Sequence, residues 1–202
     1  MTSLAVRSLA FVLALLACTG CATFRAGDLA PVENWPPTSS VEAKQSIAVK
    51  VTTEMSINDT ERLPGDALTH KWREQVILAY RESKLFSSVE FGPDADRAPV
   101  TAYATFRNEG SFSLFMTLLT GLTIYIIPSS ATESFTLTTS FKDADGKELG
   151  VVTVTESGTL WQQFFMIFFA PGRSINGVFD EILRDLSRAT VVEAMELGYI
   201  RG

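Results

Sequence analysis

Cysteine and histidine are nearly absent from this sequence, which has two cysteines and one histidine in 202 residues. Both cysteines, Cys18 and Cys21, lie near the N-terminus, so the rest of the chain can hold neither a disulfide nor a cysteine-ligated metal ion. The single histidine, His70, has no second histidine or downstream cysteine to complete a zinc site. We therefore expect no metal and no cofactor, and a domain that depends on core packing for its stability.

Motifs for catalysis and nucleotide binding are also missing. The glycines are scattered, and no Gly-x-Ser-x-Gly elbow, P-loop or dinucleotide fingerprint occurs. The run Asp143-Ala144-Asp145-Gly146 lacks the acids that an EF-hand calcium loop requires at the positions of Phe141 and Val152, and it instead indicates a hairpin turn. These absences predict that the protein is not an enzyme.

Positive charge is scarce as well. The chain has 17 Lys and Arg against 23 Asp and Glu, and it contains no run of five like charges. An acidic chain has no long-range attraction for nucleic acid or for anionic lipid headgroups. We therefore expect no nucleic-acid partner and no docking through a charged tail.

A short apolar run from Leu9 to Ala17 follows Arg7. A positive residue, an apolar stretch of about 7–15 residues and small residues at a cleavage point are the parts of a secretory signal peptide. The run is well short of the ~20 apolar residues that span a bilayer. The pattern favours an exported protein that loses residues 1–17.

The residues at the predicted cleavage point, Leu15-Leu16-Ala17-Cys18, resemble the lipobox of bacterial lipoproteins. In that family the cysteine is diacylated and becomes the mature N-terminus, so the resemblance implies lipidation at Cys18, with Cys21 as the competing position. The next residue is Thr19 or Ala22 rather than the aspartate that commonly marks inner-membrane retention. The resemblance thus implies a lipid-anchored protein of the outer membrane that faces the periplasm, held stably by more than one acyl chain.

Residues 18–45 contain several prolines and serines and few periodic apolar residues. This composition predicts a lipidated N-terminus followed by a flexible linker from about Ala26 to Gln45. A flexible linker of ~20 residues has a root-mean-square reach of roughly 25 Å. The expected domain organisation is therefore a signal peptide over 1–17, this linker over 18–45, and a single periplasmic domain over 46–202.

Residues 46–202 show the patterns of one α+β domain. Period-two alternation predicts strands, and apolar residues at spacings of three and four predict helices. The predicted elements are strands near 47–57, 85–91, 99–108, 135–141 and 152–154, and helices near 65–84 and 174–197. Their order predicts an antiparallel or mixed sheet of about five strands with two helices packed on one face. The opening strand, helix and returning strand resemble small α/β domains of periplasmic lipoproteins.

Two uncharged apolar segments, residues 112–127 and 160–170, flank the predicted hairpin. One leads into the first hairpin strand and the other leaves the second, so both should emerge at the end of the sheet opposite the turn. Both segments could be core, but consecutive large apolar residues cannot all face inward on one strand or helix. The alternative is a surface that contacts the membrane or a partner. The candidate contact residues are Phe112, Phe115, Met116, Leu118, Leu119, Leu122, Ile124, Trp161, Phe164, Phe165, Phe168 and Phe169.

Together these features predict a non-enzymatic, lipid-anchored envelope protein. Its domain is expected to act as a binding or assembly module through the apolar surface at one end of the sheet. The expected partners are the membrane, through the lipid anchor, and either another envelope protein or a second copy of the chain. The alternative function is a carrier that shelters a lipid or another apolar ligand between the apolar segments and the sheet.

Overall fold

The computed structural model describes residues 21–38, 44–92, 95, 98–163 and 175–201. Within these ranges the chain forms an α+β domain with a mixed sheet of seven strands and with three helices. The fold class is as predicted, whereas the predicted five strands and two helices are too few. The strands are β1 (Cys21–Arg25), β2 (Ile47–Ile57), β3 (Thr60–Arg62), β4 (Val89–Phe91), β5 (Val100–Phe112), β6 (Ser129–Asp143) and β7 (Glu148–Gln162). The helices are α1 (Asp66–Glu82), α2 (Leu114–Leu122) and α3 (Ile175–Glu196).

The strand order across the sheet is β1-β7-β6-β5-β2-β3. Strand β4 lies on the same side of β2 as β3, but it pairs with the first residues of β2, whereas β3 pairs with the last. Strand β2 runs parallel to β4 and β5, and the other pairs are antiparallel. Strands β6 and β7 form the predicted hairpin, in which the Asp143 carboxylate accepts from the backbone N–H of Asp145 at 3.0 Å and of Lys147 at 2.9 Å. Gly146 takes a φ of 79° in this turn, a conformation that glycine adopts without steric cost.

Helices α1 and α3 pack beside each other on one face of the sheet. The apolar stripe of α1 buries Trp72 and Val76, and that of α3 buries Ile182 and Leu186. The Trp72 ring lies 4.9 Å from the Phe106 ring of β5, measured between centroids. The helices thus cover the apolar face of the sheet, as the period of their apolar residues predicts.

Residues 21–38 belong to the folded domain, which corrects the prediction of a flexible linker over 18–45. Strand β1 pairs with β7 and satisfies backbone groups along that edge of the sheet. Leu29 and Trp35 pack against the core. Sequence with prolines and few periodic apolar residues also suits an extended segment lying across a core, and five residues are too few to show a strand period. Residues 18–20 and 39–43 lie outside the described residues.

An ion-pair network fixes this N-terminal segment to the domain. The Arg25 guanidinium donates to Glu156 of β7 at 2.9 Å and to Asp185 of α3 at 2.5 Å. The Glu156 side chain is fully buried and that of Asp185 nearly so. Burial by itself would lower the pKa of Arg25, but the hydrogen bonds and charges of the two carboxylates raise that pKa above its ordinary value. Arg25 therefore supplies the positive charge that two buried carboxylates require.

Candidate functional site

The apolar residues 112–127 form helix α2 and the turn that follows it, inserted between β5 and β6. Strand β5 ends at Phe112, which pairs with Ala131, and β6 begins at Ser129. The other end of this strand pair joins Val100 to Asp143, at the hairpin turn. Helix α2 therefore stands at the end of the sheet opposite the turn, where the connectivity of the sequence predicts it.

Helix α2 and its turn present a continuous apolar surface to solvent. Six side chains, which we call the apolar tip, have exposed fractions between 59% and 82%. They are Leu114, Phe115, Leu118, Leu122, Ile124 and Ile126. The sequence carries no charged residue between Glu109 and Glu133. Exposed apolar surface of this kind is typical of protein and membrane interaction sites.

Hydrogen bonds within α2 satisfy the polar side chains of the helix. The Ser113 hydroxyl caps its N-terminus by accepting from the Met116 backbone N–H at 3.3 Å. The threonine hydroxyls donate to the carbonyl oxygen four residues earlier at 2.8–2.9 Å, from Thr117 to Ser113, from Thr120 to Met116 and from Thr123 to Leu119. These hydroxyls need no water, which lowers the cost of placing the segment in an apolar environment.

The turn between β2 and β3 fixes the apolar tip to the sheet. The Asn58 side-chain oxygen accepts from the Phe112 backbone N–H at 3.0 Å. The Asn58 backbone N–H donates to the Gly110 carbonyl at 2.8 Å. Asn58 and Asp59 take φ values of 47° and 60°, which their short polar side chains tolerate. The first residue of the apolar segment, Phe112, is thus hydrogen-bonded to the turn between β2 and β3.

The turn after α2 is strained. Ile124 and Tyr125 take φ values of 52° and 61°, in the left-handed region. A β-branched residue with positive φ is a steric outlier, and glycine or asparagine would adopt this conformation at lower cost. The Ile124 side chain is also 60% exposed. Its side chain therefore gains little burial to offset the strained backbone.

Strand β1 enters the sheet at the same end as the apolar tip. Cys21 pairs with Gln162 of β7, and Gln162 pairs with Ser129 of β6, so these three residues form a row across that end. Trp161, next to this row, is 39% exposed. Cys21 is half-buried, and burial raises the pKa of its thiol. Cys18 lies outside the described residues, three positions earlier in the chain.

The structure brings part of the predicted contact set to this end of the sheet. Exposed there are Phe112, Phe115, Leu118, Leu122, Ile124 and Trp161. Met116 and Leu119 are half-buried. The predicted residues Phe164, Phe165, Phe168 and Phe169 lie outside the described residues. Leu114 and Ile126 are exposed here but lie outside the predicted contact set. The signal that could have identified Leu114 is Ser113, because a helix N-cap at this position sets the phase of α2 and makes Leu114 its first residue.

A cavity of about 420 Å³ opens near the apolar tip, between the sheet and the first turns of α1 and α3. Its wall includes the aromatic side chains of Phe106, Phe112 and Phe179. Two polar residues of the wall bond to each other, because Asn108 Nδ2 donates to Glu133 Oε2 at 2.9 Å. A cavity of this size with a mainly apolar wall is typical of small-molecule sites.

Metal-ligating residues do not gather in the described ranges, where no three His, Cys, Asp or Glu side chains come together as a metal site. His70 is exposed, and its Nδ1 lies 3.6 Å from Glu74 Oε2. None of the helices that the structure describes is both long enough and apolar enough to cross a membrane.

Comparisons with known proteins give remote structural likenesses. No family model matches the chain, and no curated protein matches it significantly. The fold is similar to a Xanthomonas campestris protein of family DUF330, with 15% identity, a TM-score of 0.45, and coverage of 86% of this chain and 94% of that chain. It is similar to a neuraminyllactose-binding hemagglutinin homolog from Helicobacter pylori (10% identity, TM-score 0.42, 83% and 88% coverage). It is also similar to a minor lipoprotein from Acinetobacter baumannii (9% identity, TM-score 0.39, 79% and 96% coverage). Likenesses this remote leave the function open.

Proposed function

We propose that this chain is an outer-membrane lipoprotein whose periplasmic α+β domain is a non-enzymatic binding or assembly module acting through the apolar tip. The observation that carries the proposal is that β1 and the apolar tip meet at one end of the sheet. The lipobox-like residues before Cys18 place the lipid just ahead of β1. The anchor and the exposed apolar surface therefore lie on the same side of the domain.

The chemistry of the apolar tip supports a binding role. Its six exposed side chains are hydrocarbon and can neither donate nor accept a proton. Exposed apolar surface of this kind is typical of interaction sites.

Lipidation is tested by growing the source cells with radiolabelled fatty acid. We expect the label on the wild-type protein and on Cys21→Ala, and its loss from Cys18→Ala. Loss of label from Cys21→Ala instead would identify the competing position. A wild-type protein that takes up no label would refute the lipoprotein proposal.

A carrier of a lipid or another apolar ligand is the second candidate function, and the cavity near the apolar tip favours it. The cavity is lined by residues of both helices and of the sheet, so a ligand there would be enclosed by the core. Native mass spectrometry of the purified Cys18→Ala/Cys21→Ala protein tests this candidate. A carrier should show a co-purifying lipid, and a spectrum of ligand-free protein contradicts it.

A further inference from the structure

We infer that the apolar tip inserts into the interfacial layer of a lipid bilayer, so that the domain rests on the membrane with this end of its sheet facing the lipid. The orientation rests on the proposed lipid anchor. The inference goes beyond that proposal because it names the bilayer, rather than a protein, as the partner of the tip.

The short distance between anchor and sheet supports this orientation. An extended chain advances at most ~3.3–3.6 Å per residue, so Cys18 lies no more than about 10 Å from Cys21. Acyl chains on Cys18 would therefore hold the row of Cys21, Gln162 and Ser129 close to the bilayer surface. Because Ser129 is the first residue of β6 after the α2 turn, the apolar tip is held at the same level.

The chemistry of the segment suits a lipid environment. Its exposed side chains are hydrocarbon, and the hydroxyls of its threonines donate within the helix. The nine residues of α2 extend about 13 Å, too short to span the bilayer but long enough to lie in its interfacial layer. Tyr125 lies between Ile124 and Ile126 of the tip, and Trp161 lies at the same end of the sheet, where it pairs with Ser130. Such aromatic side chains favour the headgroup level.

The charges around the tip indicate apolar rather than electrostatic binding. The nearest charged residues along the chain are Glu109 and Glu133, and the adjoining β2–β3 turn carries Asp59. This acidic rim gives anionic headgroups no attraction. We therefore expect binding that neither requires anionic lipid nor weakens as salt is raised.

A bilayer fits the tip better than a second copy does. With an anchor of about 10 Å, the tip of each anchored copy lies at the membrane surface. Pairing two tips away from the lipid would require each domain to tilt its anchored end away from the bilayer. The bilayer is therefore the apolar environment that the tip reaches without a change in the orientation of the domain.

The experiment separates the tip from the anchor by using residues 18–202, the chain without the predicted signal peptide, with Cys18→Ser and Cys21→Ser. This protein is mixed with phosphatidylcholine vesicles, with and without phosphatidylglycerol, and vesicle-bound protein is measured by flotation. The test variant adds Leu118→Glu and Leu122→Glu. The control adds Leu197→Glu, an exposed leucine near Tyr199, whose ring packs on Gly150 toward the hairpin end. Circular dichroism and thermal unfolding verify that each variant keeps its fold.

We expect the parent protein and the Leu197 control to float with both vesicle types, and the tip variant to lose at least about tenfold in partitioning. Absence of parent binding, or equal flotation of the tip variant, would overturn the inference. So would a parent dimer in equilibrium sedimentation that the tip variant converts to a monomer while vesicle binding stays the same. Failure of fatty-acid labelling would instead refute the anchor and leave the vesicle result unchanged.

Discussion

Replacing Arg25 with methionine tests whether the N-terminal segment is a structural part of the domain. The substitution leaves the fully buried Glu156 and the nearly buried Asp185 without their shared cation. Removing one partner of a buried ion pair costs about 3–5 kcal/mol. The Arg25 side chain is 23% exposed, so water reaches part of the network and the lower end of that range applies, about 3 kcal/mol. This is a large fraction of the ~5–15 kcal/mol by which domains are usually stable.

The loss is measured by urea unfolding of the Cys18→Ser/Cys21→Ser protein, followed by circular dichroism. For a domain of this length it corresponds to a decrease in Tm of roughly 6–12 °C. Because the pKa of Arg25 is raised, its stabilising charge is present below the ordinary arginine pKa and is lost only as pH rises through the folded-state pKa. The decrease should therefore be seen throughout the neutral and mildly alkaline range.

Two further variants give the Arg25 measurement its controls. Lys71→Met removes an ion pair to Asp180 in which both side chains are more than 40% exposed, and it should cost no more than about 1 kcal/mol. Combining Arg25→Met with Glu156→Gln and Asp185→Asn removes the unpaired charges and should regain most of the stability. If Arg25→Met lowers the free energy of unfolding as little as Lys71→Met does, the Arg25 network does not fix β1 to the domain.

Three other substitutions give independent predictions. Gly27→Ala would place a Cβ on Glu156 Oε1, and the ion pair with Arg25 holds that carboxylate in place. We therefore expect the free energy of unfolding, measured with urea, to fall by about 1–3 kcal/mol; unchanged stability would contradict this packing. Ile124→Asn relieves a left-handed isoleucine and should raise the unfolding free energy by about 1 kcal/mol while weakening vesicle binding; a core isoleucine would show the opposite change in stability. Burial raises the pKa of Tyr80 in the folded state. The stability that the neutral phenol contributes is therefore complete below about pH 10 and is lost as pH rises further. Tyr80→Phe should therefore unfold at a higher temperature than the parent above that pH and differ little at neutral pH, and parallel Tm profiles would exclude this role for Tyr80.

Elements with long periodic patterns could be predicted from the sequence. The β6–β7 hairpin combines strands of 15 residues with an Asp-Gly turn, and α1 and α3 carry clear apolar stripes. Strands β1 and β3, which were not predicted, have five and three residues, too few to show a period. They form by pairing with β7 and β2, and sequence periodicity does not reveal such pairing.

The candidate site was predictable in position but not in detail. Connectivity alone places the segment 112–127 at the end of the sheet opposite the hairpin turn. The sequence did not assign its helix because α2 has only nine residues and no charge, and a short uncharged apolar run can be a strand or a helix. The N-terminal segment was assigned to a linker because the partners of Arg25 lie 131 and 160 residues away along the chain. The placement of β1 at the same end of the sheet as the tip therefore emerges from tertiary structure.

Photo-crosslinking of the protein in its own cells tests whether the apolar tip lies in the lipid of a membrane. The photoreactive residue p-benzoylphenylalanine replaces Leu118 in the apolar tip or Leu197 at the opposite end of the domain, and the irradiated protein is analysed by intact-mass spectrometry. We expect the added mass of a membrane lipid on the Leu118 variant and none on the Leu197 variant. Crosslinking of the Leu118 variant to a protein, or lipid addition equal at both positions, would contradict this expectation.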